Sequence, residues 1–551
     1  MYAHSGSHTP AQANADAARR ERAGWGRVAR MTTGTMVRAG CWVLGLVAAC
    51  NGGGGGGTGT ASDGATSTTV ASTSAGGETS SDVTSSSGGS ESSGNVTTGV
   101  PTTSTTDGGE TTTSSTGVPG LDCDGGPDGW GAGDDVGMLD GDAWTPGRDG
   151  DGRVNCVSWQ TVPLGRWVRV VGTRLDALDA EVKAAIPGWS DRGNEDWHGV
   201  LADWVGMAWD TRKGTERGWV TVGGGHDGSS NDGVYRLDLR DMKWNIERMP
   251  SDSSKWPDSY SANFTNFNPA VAYYENNPEN PEGVYSDEFF DPDDPEISSR
   301  TPTSRHTYGS TVFVPELGNA GKILMGCRRY WEYDVETATW ALPKFPFDAA
   351  ANYSGETGYT GENMNGWWNA AEGRYYVSAT QNYNQSQTWS VLAGGTDFRW
   401  EGGYPTGGWT ALSTAQDQRG QTLHSLVYEG GRPHQLLVTD IDTREVVSHD
   451  LAYGPSTDGL MFDPQGGSDG GTLAHVAETG QYLTNFYPVG EGMLWAWIDE
   501  ATWTLERAQI EGDYPTEVNF NTETKLEYFP EMHAIVWVNV GEEDIRLIRL
   551  Q

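Results

Sequence analysis

Positive charge is scarce in this chain. Its 551 residues carry 36 lysines and arginines against 75 acids, a formal net charge of −39. Such a surface repels phosphate backbones, which excludes nucleic acid as a partner. It also argues mildly against heavily sulfated or uronate-rich polymers, unless a local basic cleft overrides the field. Cysteine is scarce as well. The five present are Cys41, Cys50, Cys123, Cys156 and Cys327. No two form a CxxC pair, which excludes a zinc ribbon or a thioredoxin motif. No apolar run reaches the roughly 18 residues of a membrane-spanning helix. There is no HExxH and no P-loop. One GxSxG string occurs, Gly466-Gly467-Ser468-Asp469-Gly470, but it lies in a glycine-rich turn before an expected strand. A nucleophile elbow needs a strand before it and a helix after it, so the string is chance. Helical periodicity is nearly absent too, apart from LDALDAEVKAAI at 175–186.

What is present begins with an address. Residues 39–50 read AGCWVLGLVAAC, preceded by Arg27, Arg30 and Arg38. The run is too short to span a bilayer but suits a signal-peptide core. It ends in Val47-Ala48-Ala49-Cys50, which resembles the bacterial lipobox. The resemblance implies cleavage before Cys50 and lipidation of its sulfur. The expected location is the bacterial cell envelope, exported and held by acyl chains. Residues 1–49 carry six arginines and two acids, so the mature chain is more acidic still and has no basic patch to hold it to a membrane. The stretch before the apolar run is long, and Met31 or Met36 is a more ordinary start.

From 50 to 120 the chain is Gly, Ser and Thr with scattered acids. Nothing there can bury a core, so a disordered stalk is expected. Roughly 70 flexible residues have an end-to-end distance of about 45 Å. A Gly/Asp-rich segment follows at 121–156, bounded by Cys123 and Cys156. In an exported protein these two are expected to pair, against the alternative of two free thiols. Asp149-Gly150-Asp151-Gly152 hints at calcium but lacks the ligand spacing and distal Glu of an EF-hand loop, so no cofactor is expected.

Beyond 156 short alternating stretches appear, separated by Gly, Asp and Asn turns. They predict an all-β fold of many short strands. Repeats choose among the architectures. One unit is DWVGMAWD, WVTVGGGH, VYRLDL, KWNIERM at 203–249; a second is STVFVPEL, KILMGC, YWEYDV, TWALPKF at 310–345. Both carry an Asp followed by Trp six positions on, Asp238/Trp244 and Asp334/Trp340. Looser units start near 366, 424, 471 and 525. On Gly223-Gly224-Gly225, Tyr333 with Trp340, and Trp244 and Trp503 set as equivalents, the region 157–551 resembles the kelch-type β-propeller family, the fold of the galactose-oxidase central domain. The resemblance implies four-stranded blades, six of them, or seven if 157–200 forms part of one. The last unit is a strand short, and VSWQTVPL or RWVRVVGT within 157–173 is expected to close the ring. An insert at 250–303, rich in aromatics and acids, is read as a flap over one face.

The chemistry is carried by strand entries and by the loops joining second to third strands, which lie on one face in kelch-like propellers. His226, Asp227 and Asn231 come from one such loop. Arg305, His306 and Tyr308 precede an inner strand, as do Trp197 and His198, and Glu362, Asn363 and Asn365. Together they are expected near the axis, with His226, Arg305, His306 and Tyr308 as catalytic candidates and the others as ligand contacts. The alternative for each is a residue that only satisfies exposed backbone. Three readings stay open. The first is a ligand-binding propeller, with carbohydrate as the ligand. The second is a polysaccharide lyase, in which His226 or Tyr308 takes a proton and Arg305 neutralises the uronate. The third is a protein-binding propeller. A copper oxidase site is not matched, because no Tyr-His dipeptide occurs and Cys327 sits in an expected strand. No metal ligand set is expected, and the protein is expected to be a monomer.

Overall fold

The computed structural model describes residues 130–550, except 188, 190–195, 203–204, 222–230, 252–287, 290–300, 303–306, 308, 327–329, 342–361, 382–384, 405–412, 418–420, 430–431, 463–470 and 516–523. The chain divides into two units, 1–108 and 109–551, and every described residue lies in the second. Among the described residues no helix is long and apolar enough to cross a membrane.

The second unit is an all-β propeller with four-stranded blades. Blade one spans 208–248, blade two 311–340, blade three 362–404 and blade four 413–450, each a four-stranded antiparallel meander. Blade five spans 452–507 and adds a fifth strand, Ala452–Tyr453, parallel to Thr504–Arg507. These five are built from contiguous chain. The remaining sheet is a seven-stranded composite. The C-terminal strands Leu526–Phe529, Ala534–Trp537 and Arg546–Arg549 are three, and the fourth is borrowed from β3 (Arg166–Val170), where Trp167 pairs with Ile548. The far edge of β3 carries β2 (Ala143–Thr145), which carries β1 (Met138–Asp140), while Glu511–Gly512 pairs in parallel with β3. The expected count of six uniform blades, or seven, is therefore corrected to five blades and one composite sheet. The reason is physical: the last unit cannot complete itself, and the strand it borrows is not an edge but the middle of a larger sheet.

Of the two segments expected to supply that strand, RWVRVVGT does so. VSWQ instead forms the short helix α1 (Cys156–Gln160), because Asn155 accepts the Ser158 N–H and caps it. The predicted helical stretch is a 3₁₀ turn followed by α2 (Asp179–Ala185). Unit four starts earlier than expected. Its inner strand is Ser413–Asp417, and the HSLVYE stretch is the second strand, Thr422–Glu429. The inner strand was missed because STAQD is polar and carries no apolar alternation.

The Asp repeat is a turn device. The Thr337, Thr443 and Thr502 N–H groups donate to Asp334, Asp440 and Asp499 at 3.0, 2.7 and 2.9 Å, and Arg240 N–H donates to Asp238 at 3.1 Å. Four residues after each Asp the chain enters the left-handed region: Met242 (φ 45°), Ala338 (φ 53°), Arg444 (φ 62°) and Trp503 (φ 52°). That conformation costs a residue with a Cβ about 1–2 kcal/mol; the Asp side chain offsets this by satisfying the turn amides. Register then separates Trp503 from Trp244 and Trp340. The latter two open the fourth strand six residues after Asp and are buried. Trp503 lies in the turn itself and stacks on His449 at 3.6 Å.

Aromatic and polar contacts join each sheet to the next. Trp209 meets Phe529 of the composite sheet at 5.5 Å, and Trp219 stacks on Phe313 at 4.5 Å between blades one and two. The Tyr375 hydroxyl donates to the Ser310 carbonyl at 2.6 Å between blades two and three. Asn369 donates to the Ile441 carbonyl at 2.8 Å between blades three and four. Tyr482 reaches His424 between blades four and five, and Trp495 lies against both Trp537 and Trp167 at the composite sheet. The Gly/Asp segment also packs on this body. Trp130 stacks on Trp159, and Val154 N–H donates to the Arg240 carbonyl. Cys156 is disulfide-bonded; Cys123 lies outside the described residues, as do Cys50, Cys327 and Gly223-Gly224-Gly225. Asp149 caps a turn, accepting the Asp151 and Arg153 N–H groups at 2.9 Å each. Of the insert, Glu288–Phe289 pairs with Thr301–Pro302, and most of the rest lies outside the described residues.

Candidate functional site

The strand entries converge on the axis. Gly206 N–H donates to the Thr307 hydroxyl at 3.0 Å, Met207 N–H to the Thr524 hydroxyl at 2.9 Å, and Gly366 N–H to the Gly309 carbonyl at 2.8 Å. Three blades and the composite sheet are thus stitched at one end by backbone and threonine. Beside this rim opens an axial cavity of about 450 Å³, continuous with solvent. Thr211, Thr311, Gln416, Thr524 and Glu527 give it polar groups; Met207, Trp209, Phe313 and Leu423 give it apolar ones.

His226, Asp227, Arg305, His306 and Tyr308 lie outside the described residues. Their chain neighbours do not: Thr307 and Gly309 are fixed at the rim. Asn365 is buried in the innermost strand of blade three, Glu362–Asn369, next to the Gly309 bridge. Glu362 and Asn363 belong to the same strand at a register shift. Three residues sit elsewhere. The Asn231 side-chain carbonyl accepts Gly233 N–H at 3.0 Å and the Tyr235 hydroxyl at 2.7 Å. Trp197, on α3 (Asp196–Leu201), is buried, packs edge-on to Tyr235 and donates to Asp179 at 3.0 Å. His198 faces Glu542 at 3.3 Å. Asn231 and Trp197 meet through Tyr235, a buried contact that serves packing.

The cavity's own polar residues were not legible in the sequence. Each is a single Thr, Gln or Glu in a short strand or turn, and only ring closure brings five sheets' residues together. Inner-strand alternation gives a partial signal: Thr311 and Phe313 share a strand face, as do Met207, Trp209 and Thr211. Among the described residues no cluster of three His, Cys, Asp or Glu side chains is set to hold a metal.

A second group of ionisable residues lies between blades four and five. His424 is buried, with Nδ1 3.1 Å from the Tyr482 hydroxyl and Nε2 3.0 Å from the Thr422 hydroxyl. His475 lies 4.2 Å from its ring and 3.8 Å from Glu500. Burial, and secondarily the neighbouring His475, push the His424 pKa down from 6.5 to about 3. As pH falls below 6.5 the unfolded chain takes up a proton that the folded one refuses. Stability is therefore expected to fall between about pH 6.5 and pH 3, by up to about 1.4 kcal/mol per pH unit from this group. Urea denaturation at pH 5 and pH 7.5 checks it. His424→Phe is expected to be less stable at pH 7.5, since the Tyr482 hydroxyl loses its partner, but to lose less between the two pH values. An unchanged difference would remove His424 as the cause.

No protein-family model matches the chain, and no curated protein matches it. Among solved structures, the chain is similar to U3-55K at 7% identity and a TM-score of 0.32, covering 64% of this chain and 97% of that one. A GH43 glycoside hydrolase, engineered to display both endo-xylanase and exo-arabinofuranosidase activity, is similar at 9% identity and a TM-score of 0.24, covering 42% and 44%. TolB from Acinetobacter baumannii is similar at 12% identity and a TM-score of 0.27, covering 62% and 78%. Likeness at this level is too loose to transfer an activity.

Proposed function

We propose that this protein is a lipid-anchored, exported propeller of kelch type that binds a carbohydrate at the axial rim. The observation that carries the reading is the cavity at the strand entries. It gathers hydroxyl, amide and carboxylate groups with apolar side chains from Met207, Trp209, Phe313 and Leu423. A mixed lining of that kind suits a sugar, which carries hydroxyls that require hydrogen-bond partners beside apolar C–H surface. The Gly/Ser/Thr stretch and the Cys50 motif support presentation away from a membrane through acyl chains.

The test is a glycan array with the full chain in detergent. Uronate polymers are followed in parallel by absorbance at about 235 nm, the band of the unsaturated uronate that β-elimination leaves. Binding without an absorbance rise is the expected result. A rise abolished by His226→Ala or Arg305→Ala would make the protein a lyase. Silence in both assays would leave a protein partner as the reading and overturn the carbohydrate one.

A further inference from the structure

Tyr482 reaches across the seam between blades four and five to a single partner. It is 0% exposed, its hydroxyl lies 3.1 Å from Nδ1 of His424, and among the described residues that hydroxyl bonds to nothing else. The other ring nitrogen, Nε2, lies 3.0 Å from the Thr422 hydroxyl. A neutral imidazole has one donor and one acceptor. A buried hydroxyl needs an acceptor for its hydrogen, so Tyr482 donates to Nδ1 and Nε2–H donates to Thr422. Protonation makes Nδ1 a donor as well. The bond across the seam then sets donor against donor, and the Tyr482 hydrogen has no acceptor to turn to.

The groups around the ring offer the added charge no counterion. Blade five presents His475 from Leu473–Val476, its ring 4.2 Å from that of His424, and Tyr482 from Gln481–Phe486. Glu500 lies 3.8 Å from His475, and among the described residues no carboxylate reaches His424. His449 is two rings further out, stacked on Trp503, which lies 6.4 Å from Tyr482. Within blade four the register neighbours of His424 are Ala415 and Val438. An imidazolium in the closed seam is therefore buried and unpaired, a state that water relieves as soon as it enters.

One residue away, Leu423 and its register partner Gln416 line the axial cavity. Strand alternation turns Leu423 to the opposite face from His424, where it packs with Trp367 and Tyr376 of blade three. We infer that the seam between blades four and five is a proton-operated joint, which opens locally in acid while the other blades stay packed and so loosens the blade-four wall of the cavity. The driving force is the proton that His424 takes up only when water reaches it. Opening separates one apolar cluster, in which Leu426 and Leu436 meet Leu473 and Phe486. Unfolding the ring would separate all of them, so the local event lies lower in free energy. The joint is independent of what the cavity binds.

The test is thiol labelling of the full chain by a dipyridyl disulfide, a reagent that stays active in acid, with the labelled site read by mass spectrometry. Ala496→Cys reports this seam and Ala208→Cys the seam between blades one and two; the two alanines are 0% and 1% exposed. Each rate is divided by that of the same variant unfolded in urea at the same pH, which cancels the titration of the thiol itself. From pH 7.5 to pH 5 the Ala496→Cys ratio is expected to rise about thirtyfold, the factor for one histidine that titrates at 6.5 in the open seam and at about 3 in the closed one. Ala208→Cys is expected to change by less than about threefold. His424→Phe, added to Ala496→Cys, should hold the rise below about threefold as well. An equal rise at the two cysteines would show acid acting on the whole fold and would overturn the joint. So would a rise at Ala496→Cys that survives His424→Phe. The pair of cysteine variants decides the question even where His424→Phe does not fold.

Discussion

Trp167→Ala is expected to cost about 3–5 kcal/mol of stability, the range for truncating a fully buried tryptophan. Trp167 is the residue through which the closing strand grips its neighbours. It is 0% exposed, pairs with Ile548, and lies 5.5 Å from Trp495 of blade five. The loss therefore opens the joint between blade five and the composite sheet at the point where the two ends of the fold meet. Trp167→Phe keeps most of the apolar contact and removes an indole N–H that has no partner among the described residues. It is expected to lose less than half as much. Urea denaturation of the two variants separates the readings: equal losses would show that the site needs the indole itself rather than its packing.

Arg240→Met is expected to cost a similar amount, about 3–5 kcal/mol, for a different reason. Arg240 and Glu216 form an ion pair whose side chains are 5% and 0% exposed. Arg240 Nε donates to Glu216 Oε2 at 2.6 Å, a second nitrogen reaches Oε1, and the guanidinium lies 4.3 Å over the ring of Trp130. Removing the arginine leaves a carboxylate in the interior without a countercharge. The double variant Glu216→Leu/Arg240→Met removes both charges and is expected to recover most of the loss, since apolar replacement of a buried pair is often neutral. Failure of the second substitution to rescue the first would show that the cost lies in the Trp130 contact and not in the stranded charge.

The two sites differ in how visible they were beforehand. RWVRVVGT reads as a strand from its alternation, and the missing strand of the last unit gave it somewhere to go. Glu216 and Arg240 carry no signal at all: in sequence they look like solvated charges beside turns. They become a buried pair only because Trp130, from a glycine-rich segment with no periodicity, lies across them. The inner strand Ser413–Asp417 was hidden for the complementary reason. An inner propeller strand lines an axial channel, so it has no need of the apolar alternation that marks a strand on a core.

The blades themselves follow from local chemistry. Asp at the end of the third strand in blades one, two, four and five, with a left-handed residue four positions on, makes the same hairpin in four places whatever else the blade contains. Strand alternation then sets which faces pack. These are short-range properties, and the residues carry them wherever the chain goes. What only the tertiary structure decided is what the ring encloses: the composite sheet in place of a sixth uniform blade, and the cavity shared by residues from 207 to 527. Those depend on which strand closes the circle and how the blades are spaced around the axis, a sum of many side-chain contacts that no stretch of sequence contains.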